Sequence, residues 1–392
     1  MIIFAWDGFP QYAARCVGAF VRSTTERVVV VATRPKVPIE GMERVCGCPV
    51  HWIDGSELFD LRLLDCLIGQ EGEKITLFVS GWAVLAFNEL AKKVRARGGR
   101  VICMVDDCMI RGGIGGLGDC WIGGLLDWRI GELGDWGIEL LRAVRFRLKF
   151  RKRFDGFFVP GKAGRRLLRF YGVPDAKIVE GVYAADETLF TPGPPLKERP
   201  KKIIYVGQFI ERKNVKRLVE AFHRSLDVQA FRRLDADGWT LEMYGSGPLK
   251  GELEQLIQQS PNLKSNNLKS NNQTIHIHDF LQPEELAAKY REARIFCLPS
   301  LEENWGLVVH EAALSGCALC LSNRIGAAED LCTERNGVLF DPQDVQAMAD
   351  AFSRLMRMDD SELRDAQAES LRMAKNAGLE KFVEGIKNCL IV

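Results

Sequence analysis

The sequence has few residues of the kinds that would commit it to metal or nucleic-acid chemistry. Five histidines occur in 392 residues, and the formal net charge is +1. We therefore expect neither a histidine-based metal cluster nor a general attraction to nucleic acid. No run approaches the ~20 uninterrupted apolar residues that a membrane span requires. The start of the sequence, residues 1–8, has no basic leader and predicts a first buried strand.

The composition is that of a globular protein, with 47% hydrophobic and 27% charged residues, and the length favours two domains. The twelve cysteines lie scattered in apolar runs, which suits buried thiols in a reducing compartment, so a cytoplasmic location is expected. Cys317 and Cys320 have the spacing of a metal pair. No second pair lies nearby and they overlap a strand candidate, so buried thiols are favoured over zinc.

Short apolar segments alternate with segments of helical spacing, which predicts parallel sheets covered by helices. A proline-rich stretch at 191–200 separates two such series and is interpreted as the linker between two α/β domains. The strand candidates are 28–32, 75–80, 101–105 and 156–160 in the first series, and 202–206, 240–244, 274–278, 295–299, 318–322 and 337–340 in the second.

Two segments look inserted into this pattern. Residues 111–137 are rich in glycine, tryptophan and aspartate and carry no assignable packed element. Residues 262–271 are a polar tandem duplication, which is interpreted as a surface loop. Neither segment is given a function.

The segment from Pro299 to Gly316 is the most informative. A strand ends, an acidic loop follows, Gly306 permits close backbone approach, and an apolar-faced helix begins, so free N–H groups point at any anion above them. If the helix starts near Gly306, Glu303 lies at its N-terminus and Glu311 lies about a turn and a half inside it. Two such carboxylates suit a polyhydroxylated ligand, although an isolated pair is more often structural.

A similar junction occurs upstream. Gly207 follows a strand candidate in a turn, where glycine lets backbone approach. The basic pair Arg212 and Lys213 precedes a helix, at a place where a diphosphate would be neutralised. A solvated basic turn is the alternative. Gly245 repeats the pattern of a strand followed by glycine, and alone it would be only a tight turn.

In this order, these segments resemble the C-terminal domain of glycosyltransferase family 4, the retaining enzymes of the GT-B fold, over about residues 201–352. The resemblance implies two Rossmann-like domains facing each other across a cleft, at 1–192 and 193–378, with residues 379–392 crossing back to the first. It also implies a nucleotide diphosphate sugar as donor, with Arg212 and Lys213 on the diphosphate.

The resemblance implies further donor contacts. Those around the ribose, sugar and phosphates are Glu311, Glu303, Asn304, Trp305, Gly306, Leu307 and Val308, and those near the base are Phe280 and Leu281. The sequence departs from the family at Asn214, where glycine is frequent, and at Trp305, where phenylalanine is frequent.

The first half of the chain matches the family less well. By resemblance Gly8 lies in the loop facing the donor phosphates, although a structural turn is equally open. Asp106 and Asp107 close a strand where family members place acceptor-binding or catalytic groups, and a cap for the following turn is the alternative.

The function implied is retaining transfer of a hexose from a UDP- or GDP-sugar to a glycan or lipid-linked acceptor. Neither a cofactor nor a metal is expected, because Arg212, Lys213 and helix N-termini would stabilise the leaving diphosphate. An epimerase or phosphorylase of similar architecture, or a non-catalytic scaffold, remains an alternative.

Residues 142–154 are strongly basic with interleaved aromatics. One interpretation is contact with anionic lipid headgroups at the inner face of a membrane, which would bring the protein to a lipid-linked acceptor. The other is a solvated basic helix.

Overall fold

The computed structural model describes residues 1–34, 42–53, 74–105, 135–227, 238–259 and 274–391. The chain divides into a first unit, Met1–Ala184 with Leu379–Val392, and a second unit, Ala185–Gly378. The candidates Asp106 and Asp107 and the duplication at 262–271 lie outside the described residues, as does most of segment 111–137.

The first unit is a parallel sheet with helices against it. Its strands are β1 (Ile2–Trp6), β2 (Val28–Thr33), β3 (Val50–Ile53), β4 (Thr76–Ser80), β5 (Arg100–Met104), β6 (Gly156–Val159) and β7 (Ile178–Glu180). Its helices are α1 (Gln11–Arg22), α2 (Met42–Cys46), α3 (Leu85–Ala96), α4 (Asp135–Lys149), α5 (Lys162–Phe170) and, from the end of the chain, α13 (Leu379–Ile391). The order is β3-β2-β1-β4-β5-β6-β7, and all described pairs are parallel.

The central strands are apolar throughout because the sheet is covered on both faces. Strand β2 reads Val-Val-Val-Val-Ala-Thr and is buried at every position. Helix α13 packs on β6 and β7. A Cβ at Gly385 would lie 2.4 Å from the ring of Phe158, so glycine is what allows this close approach, and Phe382 contacts the same ring.

The second unit repeats the architecture. Its strands are β8 (Lys202–Val206), β9 (Thr240–Tyr244), β10 (Ile275–His278), β11 (Ile295–Leu298), β12 (Ala318–Ser322) and β13 (Gly337–Phe340). Its helices are α6 (Val215–Asp227), α7 (Lys250–Gln259), α8 (Pro283–Glu292), α9 (Leu307–Leu314), α10 (Ala328–Leu331), α11 (Val345–Met356) and α12 (Asp360–Lys375). The order β10-β9-β8-β11-β12-β13 is that of a doubly wound, Rossmann-like sheet.

The boundary between the units lies at 184/185, earlier than the expected 192/193. The proline-rich stretch is packed into the second unit and is not a free linker. Arg199, 2% exposed, donates from Nη1 to Ala293 O (2.7 Å) and from Nη2 to Ser315 O (2.8 Å). The proline content of the stretch predicted a linker between the domains, but it could not show that a buried guanidinium fixes this stretch to the second unit.

Candidate functional site

The candidate site lies at the carboxyl ends of β8 and β11. These strands are neighbours in the sheet, and the strand order reverses between them. In doubly wound sheets the crossovers leave in opposite directions at such a point, which opens a crevice where ligands bind. The loops that follow the two strands carry the motifs singled out in the sequence.

Two cations and one carboxylate meet in these loops. Lys213 ends a short 3₁₀ turn and is 9% exposed, and its Nζ donates a hydrogen bond to Glu303 Oε2. Arg212 donates from Nη1 to Glu302 O (2.9 Å) and lies 3.4 Å from Glu303 Oε2. The two cations share this one carboxylate oxygen, and each has further N–H donors that an anion could accept from.

Asn214 explains how the basic turn holds its shape. It is left-handed, with φ 58°, a conformation that asparagine tolerates better than most residues other than glycine. Its Nδ2 donates to Pro299 O (3.1 Å), after β11, and to Pro342 O (2.7 Å), after β13, so the turn is tied to both segments. The departure from the family's frequent glycine is therefore compatible with the turn.

The loop after β11 delivers the start of α9. Gly306 has φ 85° and precedes the first helical residue, Leu307. The loop is fixed by bonds from Gly326 N–H to Glu303 O and from Ala327 N–H to Trp305 O, both 3.0 Å. The first N–H groups of a helix have no partner inside it, so those of Leu307 and Val308 are the donors that this end offers to an anion.

Trp305 is buried, at 4% exposure, and Asn304 beside it is partly exposed. The indole Nε1 of Trp305 is enclosed and has no hydrogen-bond partner among the described residues. The larger ring that stands where the family often has phenylalanine is thus accommodated in the interior.

Glu311, the fifth residue of α9, accepts a hydrogen bond from Tyr290 Oη (3.2 Å). Burial raises the pKa of Glu311 to about 7, and the bond from Tyr290 opposes the rise. Glu311 is therefore not a fully solvated helix residue, and its carboxyl titrates near neutral pH. Tyr290 was not predicted from the sequence, because the spacing of Leu286, Ala287 and Tyr290 on α8 indicates a buried face but not that Tyr290 contacts Glu311.

The glycines after β8 and β9 are required by backbone packing. A Cβ at Gly245 would lie 1.9 Å from Gly207 O. Gly207 N–H donates to Tyr244 O (3.1 Å), and Phe209 N–H donates to Ser246 O (2.8 Å), so the two turns are joined along their backbones. These glycines have a structural role whether or not a ligand also contacts them.

Phe280 and Leu281 follow β10, at the edge of the same sheet. Phe280 is 62% exposed and Leu281 is partly exposed. The strand end before them is held by His278, whose Nε2 lies 2.7 Å from Glu242 Oε2 and whose ring stacks on Tyr244 at 4.5 Å. An exposed aromatic on a fixed strand end can stack on a planar base.

Gly8 lies in the first unit, after β1, with φ 58°. Its N–H donates to Thr33 Oγ1 (2.6 Å), and that hydroxyl donates to Asp7 Oδ1 (2.6 Å). A Cβ at Gly8 would meet nothing within 4 Å, so the turn is fixed while one side of its backbone is open.

Two other features are structural. His310 is fully buried, and Cys317 and Cys320 are buried free thiols. Across the described ranges there is no group of three or more potential metal ligands. No helix in the described part of the chain has both the length and the apolar character to cross a bilayer.

Comparison with known proteins finds a family model that covers most of the second unit. Residues 187–374 match the family model described as Glycosyl transferases group 1. A D-inositol 3-phosphate glycosyltransferase of Corynebacterium urealyticum is 38% identical over 86 residues, which are 22% of this chain and 20% of the relative. The matched segment thus spans about a fifth of that relative.

Solved structures extend the likeness to the whole chain. HepE of Anabaena, in complex with UDP and glucose, matches with a TM-score of 0.66 at 12% identity over 100% of this chain and 99% of that one. Sucrose-phosphate synthase of Thermosynechococcus elongatus matches with a TM-score of 0.64 at 15% identity, over 100% and 98%. At these identities the likeness concerns the fold. The family resemblance is confirmed by the match of residues 187–374 to the glycosyl transferases group 1 model, and the chain has the GT-B fold.

Proposed function

We propose that the protein is a retaining hexosyltransferase that binds a UDP- or GDP-sugar chiefly through its second unit. The observation that carries the proposal is the meeting of Arg212 and Lys213 with Glu303 where the strand order reverses. A cluster with one carboxylate for two cations, beside a helix N-terminus, suits a diphosphate that also carries hydroxyl groups.

The chemistry follows from charge. As the anomeric bond breaks, negative charge accumulates on the departing diphosphate, and preorganised cations and N–H groups lower the barrier. Lys213 would exchange Glu303 for a phosphate oxygen, with Arg212 as a second partner and the start of α9 as a third. The released Glu303 carboxylate would accept hydrogen bonds from sugar hydroxyls.

Glu311 is assigned to the ribose hydroxyls. An ionised carboxylate accepts bonds from two neighbouring hydroxyls, whereas the protonated form has less acceptor capacity. Its raised pKa makes this interaction dependent on pH near neutrality. Phe280 and Leu281 would contact the base.

The first unit is assigned to the acceptor, a glycan or a lipid-linked sugar, with Asp106 and Asp107 as candidate polar groups and Gly8 toward the donor phosphates. The reaction is proposed to need no divalent ion and no cofactor. The proposed location is the cytoplasm, with peripheral contact at the inner face of a membrane through residues 142–154. A nucleic-acid partner is not expected, given a formal net charge of +1.

A thermal-shift series with UDP, GDP, ADP and their sugars tests the donor assignment. A nucleotide at a hundred times its dissociation constant adds about 2.7 kcal/mol of stability. We expect a shift with UDP or GDP, unchanged by EDTA, and a smaller shift for Lys213→Ala. No shift with any nucleotide diphosphate would overturn the proposal.

Turnover of the sugar nucleotide separates the alternatives. A transferase forms a glycosidic product that depends on acceptor, whereas an epimerase converts the donor without acceptor. A scaffold protein would tolerate Glu311→Ala in the cell without loss of function.

A further inference from the structure

Helix α4 exposes apolar side chains on the side opposite its packed face. Leu140, Leu141, Val144 and Leu148 are 57%, 46%, 42% and 81% exposed. At roughly 100° per residue, the four fall within an arc of about 100° on the helix. A solvated basic helix would carry polar residues there, so this arc is unlike an ordinary water-facing surface.

The cations beside this arc are not neutralised by described carboxylates. The charged groups of Arg145, Lys149 and Arg153 lie 5.9, 5.8 and 5.2 Å from the ring centre of Phe150. Glu139, the acid within the described side chains of α4, is 1% exposed and accepts from Tyr171 Oη (2.7 Å). The outward face therefore combines exposed apolar groups with uncompensated positive charge.

The positive charge continues beyond the end of α4. Arg151, Lys152 and Lys177 line a cavity of about 280 Å³. Asp155, which shares its lining, is engaged by Arg95 at 2.6 Å. Because the whole chain has a formal net charge of only +1, this surface is a local concentration of positive charge.

We propose that α4 docks the protein on an anionic lipid bilayer. Leu140, Leu141, Val144 and Leu148 enter the headgroup region, and Arg145, Lys149 and Arg153 lie against the lipid phosphates. A helix with an apolar strip flanked by cations binds this interface because burial of the apolar side chains and attraction of the cations to anionic lipid both contribute. The inference deepens the proposed function, since a bilayer would hold a lipid-linked acceptor.

Flotation of the full-length protein with vesicles tests the surface. We expect binding to vesicles of equal parts phosphatidylcholine and phosphatidylglycerol, weakened by salt, and little binding to phosphatidylcholine alone. The double variant Leu140→Ser with Leu148→Ser should lower the partition coefficient at least about tenfold. Leu85→Ser, at a residue 72% exposed in the same unit, is the matched control and should bind normally.

Charge is tested separately from apolar insertion. Arg145→Glu with Lys149→Glu should lower binding at least about tenfold and weaken its salt dependence, whereas Arg27→Glu, at an exposed residue, should have a small effect. Equal binding by the wild type and both α4 double variants would overturn the proposal. So would α4 variants that change only the oligomeric state in light scattering.

The outcome is independent of the donor assignment. The α4 variants should keep the wild-type thermal shift with UDP or GDP, because they do not alter the second unit. Flotation without any nucleotide-induced shift would contradict the transferase and leave the docking surface intact. A nucleotide-induced shift without flotation would support the transferase and overturn the docking surface.

Discussion

Lys213 donates a hydrogen bond from Nζ to Glu303 Oε2, although 90 residues separate the two in sequence. Their side chains are 11% and 15% exposed, so both charges are largely enclosed, and Glu303 has Arg212 as a second cationic partner at 3.4 Å. The contact joins the loops after β8 and β11 and presets the distance between the groups assigned to diphosphate and sugar.

Replacing Lys213 should impair catalysis more than folding. We expect Lys213→Ala to lower kcat/KM about 10²- to 10³-fold, since one charge-stabilising donor is lost. Lys216→Ala is the control, because Lys216 makes exposed ion pairs with Glu211 (2.8 Å) and Glu252 (2.7 Å) that contribute little. Steady-state kinetics of both variants checks this, and equal losses would contradict the assignment.

Nucleotide binding should depend on the protonation of Glu311, whose pKa burial raises from 4.5 to about 7. If the carboxylate accepts from ribose hydroxyls, affinity should fall as the pH drops below 7, approaching roughly tenfold per pH unit. The stability of the folded protein should depend on pH in the opposite direction. The folded state keeps the Glu311 proton to higher pH than the unfolded chain does, so the contribution of Glu311 to the free energy of unfolding is full below pH 4.5. That contribution is lost as the pH rises to about 7.

Calorimetric titration of the nucleotide between about pH 6 and pH 8 measures this dependence. Glu311→Gln should flatten the profile. A profile that keeps its slope in the variant would assign the titration to another group.

His310 should make the second unit sensitive to acid. Its Nδ1 accepts from Ala185 N–H (3.0 Å) and its Nε2 lies 2.9 Å from Ala374 O, which suits a neutral ring protonated at Nε2. Burial lowers its pKa from 6.5 to about 4. The unfolded chain therefore binds the proton more readily, and stability present above pH 6.5 is lost as the pH falls toward 4.

Urea unfolding of His310→Ala measures the effect. The variant should lose about 2 to 4 kcal/mol at pH 7, because a cavity and two unsatisfied backbone groups remain. The difference in unfolding free energy between the variant and the wild type should be smaller at pH 5, because the wild type has by then lost part of the stability that the neutral ring provides. A constant difference at both pH values would show that the ring does not titrate as proposed.

Gly306→Ala should strain the entrance to α9. The position has φ 85°, and a Cβ there would lie 3.2 Å from Glu303 Cγ. We expect a loss of about 1 to 2 kcal/mol in unfolding free energy and weaker nucleotide binding. Gly251→Ala is the control, since a Cβ there meets nothing within 4 Å and helix α7 favours alanine. Equal losses of stability in the two variants would show that the backbone conformation of Gly306 is not what requires glycine.

The sequence was sufficient for the central strands. Segments 202–206, 240–244 and 318–322 match the central strands β8, β9 and β12 residue for residue, because strands covered on both faces have near-continuous apolar runs. Segment 337–340 also matches β13, an edge strand of the second sheet. The edge strands β3 and β7 were missed. They have four and three residues and include His51, Trp52 and Glu180, so neither length nor periodicity marks them.

For the candidate site, the sequence indicates residue types and the order of the loops that carry them. The strand-to-helix junctions indicated Arg212, Lys213 and Glu303 but not the bond that joins Lys213 to Glu303. The partnership of Glu311 with Tyr290 depends on how α8 packs against α9, and such a tertiary contact has no local signature. The burial of Arg199 was hidden for the same reason.

The placement of α13 has a consequence for biosynthesis. Leu379–Ile391 covers β6 and β7 of the first unit, yet the ribosome makes it after the whole second unit. Residues 185–378 can condense around their own core while Phe158 still lacks Phe382. The amino-terminal sheet therefore stays incomplete until residues 379–391 have been made, and the nascent chain exposes apolar surface there until then.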